Sequence, residues 1–164
     1  MAEQHLVEIK GLILDPVSNT PIVILKKAGE NVLLPIWIGV FEANAIAMEL
    51  EGVQTPRPMT HDLMRSLVEA LGAVVEGVLV HSLVENTFHA TVVLRSAGGQ
   101  RVEVDARPSD AIALALRARA PIKVAETVFQ QAHALEVREE GSEEDKIKEW
   151  LDSLSPDDIG KYKM

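Results

Sequence analysis

Five carboxylates, one histidine and two arginines stand where this chain changes direction, and their types suit phosphoryl chemistry. His61 and Asp62 are adjacent, just after the pair Arg57-Pro58. A histidine beside a carboxylate can act as a general base for water or as a metal ligand. Asp105-Ala-Arg-Pro-Ser-Asp110 packs two carboxylates, Arg107 and Ser109 into six positions. Glu42 and Glu49 complete the set. They lie two helical turns apart, about 10 Å along the axis, too far to share an ion unaided. Carboxylates of this kind hold the Mg²⁺ or Mn²⁺ that assists phosphodiester hydrolysis, and arginines hold the phosphate. The same residues also have a purely structural reading, as solvated side chains and partners of helix dipoles.

The elements around these residues must present them. A proline holds the preceding residue extended, so Arg57 and Arg107 each project from a stiff junction. Thr60 reads as an N-cap, with His61 and Asp62 in the first turn. Pro108 suits the first position of a helix, because it lacks an N–H that would be orphaned there. Ser109 and Asp110 then occupy a first turn whose free N–H groups favour oxygen acceptors or a phosphate. Pro121 stops this helix. No Gly-x-Ser-x-Gly elbow surrounds Ser109, so it is not read as a nucleophile. No phosphate loop, dinucleotide fingerprint or zinc pattern is present.

Hydrophobic periodicity predicts strands at 5–14, 21–25 and 32–38, the third nearly all apolar and therefore expected to be central. A helix follows over 41–50. A second starts at Thr60 and is expected to turn Leu63, Leu67 and Leu71 to the core. Strands at 73–83, 87–95 and 100–104 lead to a helix over 108–119, a short strand at 122–125 and a last helical turn or two. Ile24-Leu-Lys-Lys-Ala-Gly29 echoes Val93-Leu-Arg-Ser-Ala-Gly98, and Ala45–Leu50 echoes Ala111–Leu116. The expected fold is therefore mixed α/β (α+β). It holds two β-β-β-α units with one helix inserted between them, in a single domain over 1–138. Residues 139–164 read as an acidic linker and a short amphipathic helix carrying Trp150.

The net charge is −9 over 164 residues, which argues against tight general binding to nucleic acid. Residues 139–164 hold nine acids and four bases, so the first 138 residues carry only −4. A local basic patch is compatible with that balance. The chain has no cysteine, which excludes disulfides, thiolate chemistry and cysteine-ligated zinc. No basic-then-apolar leader is visible, since Glu3 and Glu8 interrupt it. No apolar run reaches spanning length. A cytoplasmic protein is expected.

Three segments together resemble the bifunctional nuclease family. They are Asp105-Ala-Arg-Pro-Ser-Asp-Ala-Ile-Ala-Leu-Ala-Leu-Arg-Ala-Arg119, Leu34-Pro-Ile-Trp-Ile-Gly-Val-Phe-Glu-Ala-Asn-Ala-Ile-Ala-Met-Glu49 and Arg57-Pro-Met-Thr-His-Asp-Leu63. The resemblance implies DNase and RNase activity, an α/β domain, and a wedge-shaped dimer with a groove as active site. On it rests the expectation of a metal-assisted nuclease of low sequence specificity. The residues expected to be catalytic are His61, Asp62, Asp105 and Asp110. Arg57, Arg107 and Ser109 are expected to bind substrate, and Glu49, Asp62, Asp105 and Asp110 to hold Mg²⁺ or Mn²⁺. DNA and RNA are the expected substrates and a homodimer the expected assembly, the Trp150 stripe needing cover. The alternatives are a non-catalytic regulatory module that binds an anion or a protein, and a dimeric scaffold whose acidic tail recruits a partner.

Overall fold

A computed structural model of the protein describes residues 3–132, 134–136 and 149. The readings of Ser142, Trp150 and the rest of the tail helix fall outside the described residues. Among the described residues, twelve elements follow one another. Strands β1 (Gln4–Leu14), β2 (Pro21–Lys27) and β3 (Val32–Trp37) precede helices α1 (Val40–Leu50) and α2 (Thr60–Ala70). Strands β4 (Val74–Val84), β5 (Thr87–Arg95) and β6 (Arg101–Ala106) then lead into α3 (Pro108–Ala118). Strand β7 (Ile122–Ala125), helix α4 (Glu126–Gln131) and the two-residue β8 (Leu135–Glu136) complete the order.

The strands form one sheet in the order β6-β5-β4-β7-β1-β2-β3-β8. Each triplet is an antiparallel meander, built from local hairpins, and each is followed by a helix. The two β-β-β-α units and the inserted α2 are therefore as the sequence echo predicts. Between the triplets lies β7, antiparallel to β1 and parallel to β4. Gly77 makes room for this junction: a Cβ there would come within 3.1 Å of the Pro121 carbonyl. That carbonyl accepts the Val78 N–H at 3.0 Å.

Strand β3 is not central; among the described residues only β8 lies beyond it, pairing with Val32 and Leu33. Its continuous apolar run has another cause. Leu34 and Ile36 bury in the helix-covered core, while Leu33 and Trp37 are buried on the opposite face. Trp37 Nε1 donates to Asp15 Oδ2 at 2.8 Å there. Pro35 sits past the reach of β8, where a strand can lack an N–H without losing a ladder bond.

Helix α3 is the hub of the helical layer. It contacts α1, α2, β4 and β5, and Ala111, Ile112, Ala113, Leu114 and Ala115 are all buried. The small alanines let the neighbouring helices approach closely. Helix α2 turns a different face inward from the one expected. His61, Met64, Arg65 and Val68 are buried or half-buried, whereas Leu63, Leu67 and Leu71 are 51%, 56% and 81% exposed. Polar anchors on α3, described below, set this rotation and leave the leucines outside. Among the described residues no helix is long and apolar enough to cross a membrane.

Candidate active site

The first turns of α1 and α3 and the start of α2 surround a cavity of about 320 Å³. Its wall includes Phe41, Glu42, Met48, Met59, His61, Arg107, Asp110 and Arg117. The backbone starts α2 at Met59, which is extended, so Thr60 is the first helical residue rather than the cap. Asp62 supplies the cap from inside the helix: its Oδ2 accepts the Met59 N–H at 2.9 Å. This turns His61 inward. Its Nε2 lies 2.9 Å from Asp110 Oδ1, in the first turn of α3. With Nε2–H donating to the carboxylate, Nδ1 keeps the lone pair that a general base requires.

Asp110 is shared. Its Oδ2 accepts Arg107 Nε at 2.8 Å and lies 2.7 Å from Arg107 Nη2. The same Nη2 donates to Glu42 Oε1 at 2.6 Å. Two carboxylates thus converge on one cationic nitrogen, and the bond to Asp110 above all raises the Arg107 pKa above its ordinary value. Gly39 permits the arrangement. A Cβ there would overlap the Glu42 carboxylate, which folds back over the start of α1.

A second set of contacts fastens the helices. Arg117 is buried; its Nε donates to Asp62 Oδ1, Nη1 to the Ala113 carbonyl and Nη2 to the Ala45 carbonyl, each at 2.9 Å. Arg65 Nη1 in turn donates to the Arg117 carbonyl at 2.9 Å. The Met59 N–H and then the Arg117 charge hold the Asp62 carboxyl below its usual pKa, against the opposing effect of burial.

Of the residues singled out in the sequence, the fold brings His61, Asp110 and Arg107 around one cavity. Asp62 is next to them but is engaged by Arg117. Asp105 is exposed on β6 opposite Thr91. Val104 and Ala106 pair with the buried Val92 and Ala90, so alternation turns Asp105 to the face away from the helices. Ser109 is wholly buried, its hydroxyl finds no partner among the described residues, and it does not line the cavity. Arg57 and Glu49 line a neighbouring recess. Glu49, Asp62, Asp105 and Asp110 therefore do not gather as one ligand set, and no cluster of three or more ligating side chains exists among the described residues. Glu42 and Asp110 are the pair that converges.

Two residues carry more than their sequence context suggested. Arg117 lies seven positions after Asp110, on the same face of a helix that is otherwise apolar there; a lone charge on such a face signals a buried partner. Glu42 sits in the first turn after Gly39, the only residue that leaves its carboxylate room.

Among the described residues, a mixed sheet covered by helices, with a histidine–carboxylate–arginine cavity at the helix starts, defines an α+β domain. Residues 23–136 match the family model for the bifunctional nuclease domain, and the chain belongs to that family. An uncharacterized protein of Mycobacterium tuberculosis is 43% identical over 163 residues, covering 93% of this chain and 96% of the relative. Bifunctional nuclease 2 of Arabidopsis thaliana is 31% identical over 108 residues, 65% of this chain but 33% of the plant protein. Bifunctional nuclease 1 of Oryza sativa subsp. japonica is 27% identical over 112 residues, 67% of this chain and 34% of the relative. The chain thus spans about a third of each plant nuclease.

Proposed function

We propose that this protein hydrolyses phosphodiester bonds of DNA and RNA with low sequence specificity, at the cavity between His61 and Arg107. The contact that carries the proposal is His61 Nε2 to Asp110 Oδ1 at 2.9 Å. Asp110 fixes the ring and its tautomer, and Nδ1 takes the proton from an attacking water. Arg107 offers its guanidinium to the phosphoryl oxygens, where negative charge grows in the transition state. Phe41, 87% exposed on the cavity wall, gives a base a surface to stack on, a contact that every base can make. Family membership supports the same reading.

Divalent metal assistance belongs to this proposal, with Mg²⁺ or Mn²⁺ as the ion. Mg²⁺ needs only one or two carboxylates besides water and phosphate oxygens. Glu42 and Asp110 converge on the point that Arg107 Nη2 fills, so they would hold an ion only with the guanidinium moved onto the phosphoryl group, whose charge both cations would then neutralise. The protein is further proposed to be a cytoplasmic homodimer, the exposed leucines of α2 supplying an apolar face for the second copy.

One observation favours a non-catalytic reading. Arg107 is matched by Glu42 and Asp110, so the cluster is also a closed ion-pair network that pins α1 to α3. The two readings separate with labelled single-stranded DNA and RNA, assayed with Mg²⁺, Mn²⁺ and a chelator. His61→Gln should lower kcat by roughly 10²–10⁴-fold, the usual contribution of a general base. Its melting temperature should stay near that of the parent. Turnover unchanged in this variant would reject the role of His61, and a pure parent protein without turnover would leave the binding module.

A further inference from the structure

The recess beside the histidine cavity carries an assignment of its own. We infer that it binds the sugar-phosphate backbone of a single nucleic-acid strand, held by Arg57 and Arg119, next to the phosphate that is cleaved. The identity of the strand rests on the nuclease reading above.

The recess measures about 560 Å³ and shares Met48, Met59 and Arg117 with the histidine cavity, so the two lie side by side. Its walls come from the loop at 52–58, the start of α2 and the ends of α1 and α3. Four arginines line it. Arg117 and Arg65 are committed to Asp62 and to backbone carbonyls. Arg57 and Arg119 are exposed, and neither side chain forms a hydrogen bond or an ion pair among the described residues. A protein of net charge −9 thus keeps two uncommitted guanidinium groups in one recess. The carboxylates there are Glu49 and Asp62, and Asp62 is already neutralised by Arg117.

Both arginines are held in place by their backbones. Pro58 restricts the backbone of Arg57 to extended conformations. Arg119 ends α3 at φ 55°, ψ 37°, a left-handed position that glycine or asparagine normally fills at a helix end. Such outliers collect at binding sites, where the position of the side chain outweighs the strain. The anion must be slim enough to enter a concave recess. A single strand is; a duplex carries its phosphates around a broad convex surface. Arginine reads phosphate rather than base, so the subsite adds affinity without sequence preference.

The test compares the parent with the double variant Arg57→Gln, Arg119→Asn. Asparagine tolerates the left-handed backbone, so the fold should persist. Binding of fluorescent single-stranded octanucleotides, DNA and RNA, is followed by anisotropy across a salt series, and dinucleotide cleavage is measured alongside. The variant should bind octamers at least tenfold more weakly at low salt. The slope of log K against log salt should shrink by about 1.4, the release expected for two phosphates of a single strand. The loss in dinucleotide cleavage should be smaller than the loss in octamer binding, and the losses on DNA and RNA equal. A parent that binds and cleaves octamers, with a variant of identical affinity and slope, would overturn the subsite alone. Tighter binding of a duplex, or a loss confined to RNA, would overturn the single-strand backbone assignment. A parent that binds no strand would overturn both this subsite and the nuclease reading.

Discussion

Arg117 Nε stands 2.9 Å from Asp62 Oδ1, and this contact fastens the last turn of α3 to the first turn of α2. The remaining nitrogens of the same guanidinium hold the Ala113 and Ala45 carbonyls, so one side chain ties three helices. The floor of the histidine cavity depends on that tie.

Replacing Arg117 by alanine leaves Asp62 without its counter-charge and removes the donor to the Ala45 carbonyl. Asp62 stays partly exposed and keeps the Met59 N–H, so the loss is about 1–3 kcal/mol, the cost of an unmade hydrogen bond, rather than that of a fully buried pair. The midpoint of urea unfolding should fall accordingly. Arg117→Lys should recover only part of the loss, because an ammonium cannot present three fixed donors. A midpoint within about 0.5 kcal/mol of the parent, the range of an ordinary surface substitution, would show that the helices are held otherwise.

Acid should loosen the same joint. The Met59 N–H and then Arg117 hold the Asp62 carboxyl below the ordinary value of 3.8, burial opposing them. A depressed carboxyl contributes stability that is present above its unfolded pKa and lost as pH falls through its folded one. Glu126 behaves alike: its bond to Lys27 holds it below 4.5. Stability should therefore decline as pH drops below about 4. Asp62→Asn should show a shallower decline in that range, read from unfolding midpoints between pH 5 and 2. Equal slopes would remove Asp62 from the acid response.

The leucines on α2 predict an assembly. Leu63 and Leu67 are more than half exposed, yet they form an apolar stripe one turn apart. The parent should sediment at twice the chain mass at micromolar concentration. Leu63→Ser with Leu67→Ser should give a folded monomer, since little burial within the subunit is lost. A monomeric parent would end the proposal of a homodimer.

The order of elements was legible because Gly and Pro punctuate it and because the apolar period switches cleanly between strand and helix. The rotation of α2 was not. Its leucines make the stronger stripe, but His61, Arg65 and Asp62 are the side chains with partners, and pairing of buried polar groups outweighs exposure of two or three leucines. The side taken by Asp105 was equally hidden, because a strand alternates faces and only its register with β5 decides which is which. His61 and Asp110 were both singled out at polar helix starts, but only the packing of α2 on α3 brings them together. Convergence of Glu42 on Arg107 was not foreseen, since it depends on the empty space at Gly39.

Strand β7 has a consequence for the order in which the molecule assembles. Each triplet closes through hairpins between neighbours in sequence, but β1 gains its other edge only when Val7 meets Ile122, 115 positions later. Loop closure over such a span is slow, so the halves mature early and the seam between them late. His61 and Asp110 both follow the first unit, so their contact lies wholly on the later side of that seam. Glu42 belongs to the first unit and Arg107 to the second, so their bond crosses it. A nascent chain can therefore hold a formed histidine–aspartate pair while its arginine still lacks one carboxylate, and it reaches working geometry only when β7 locks in.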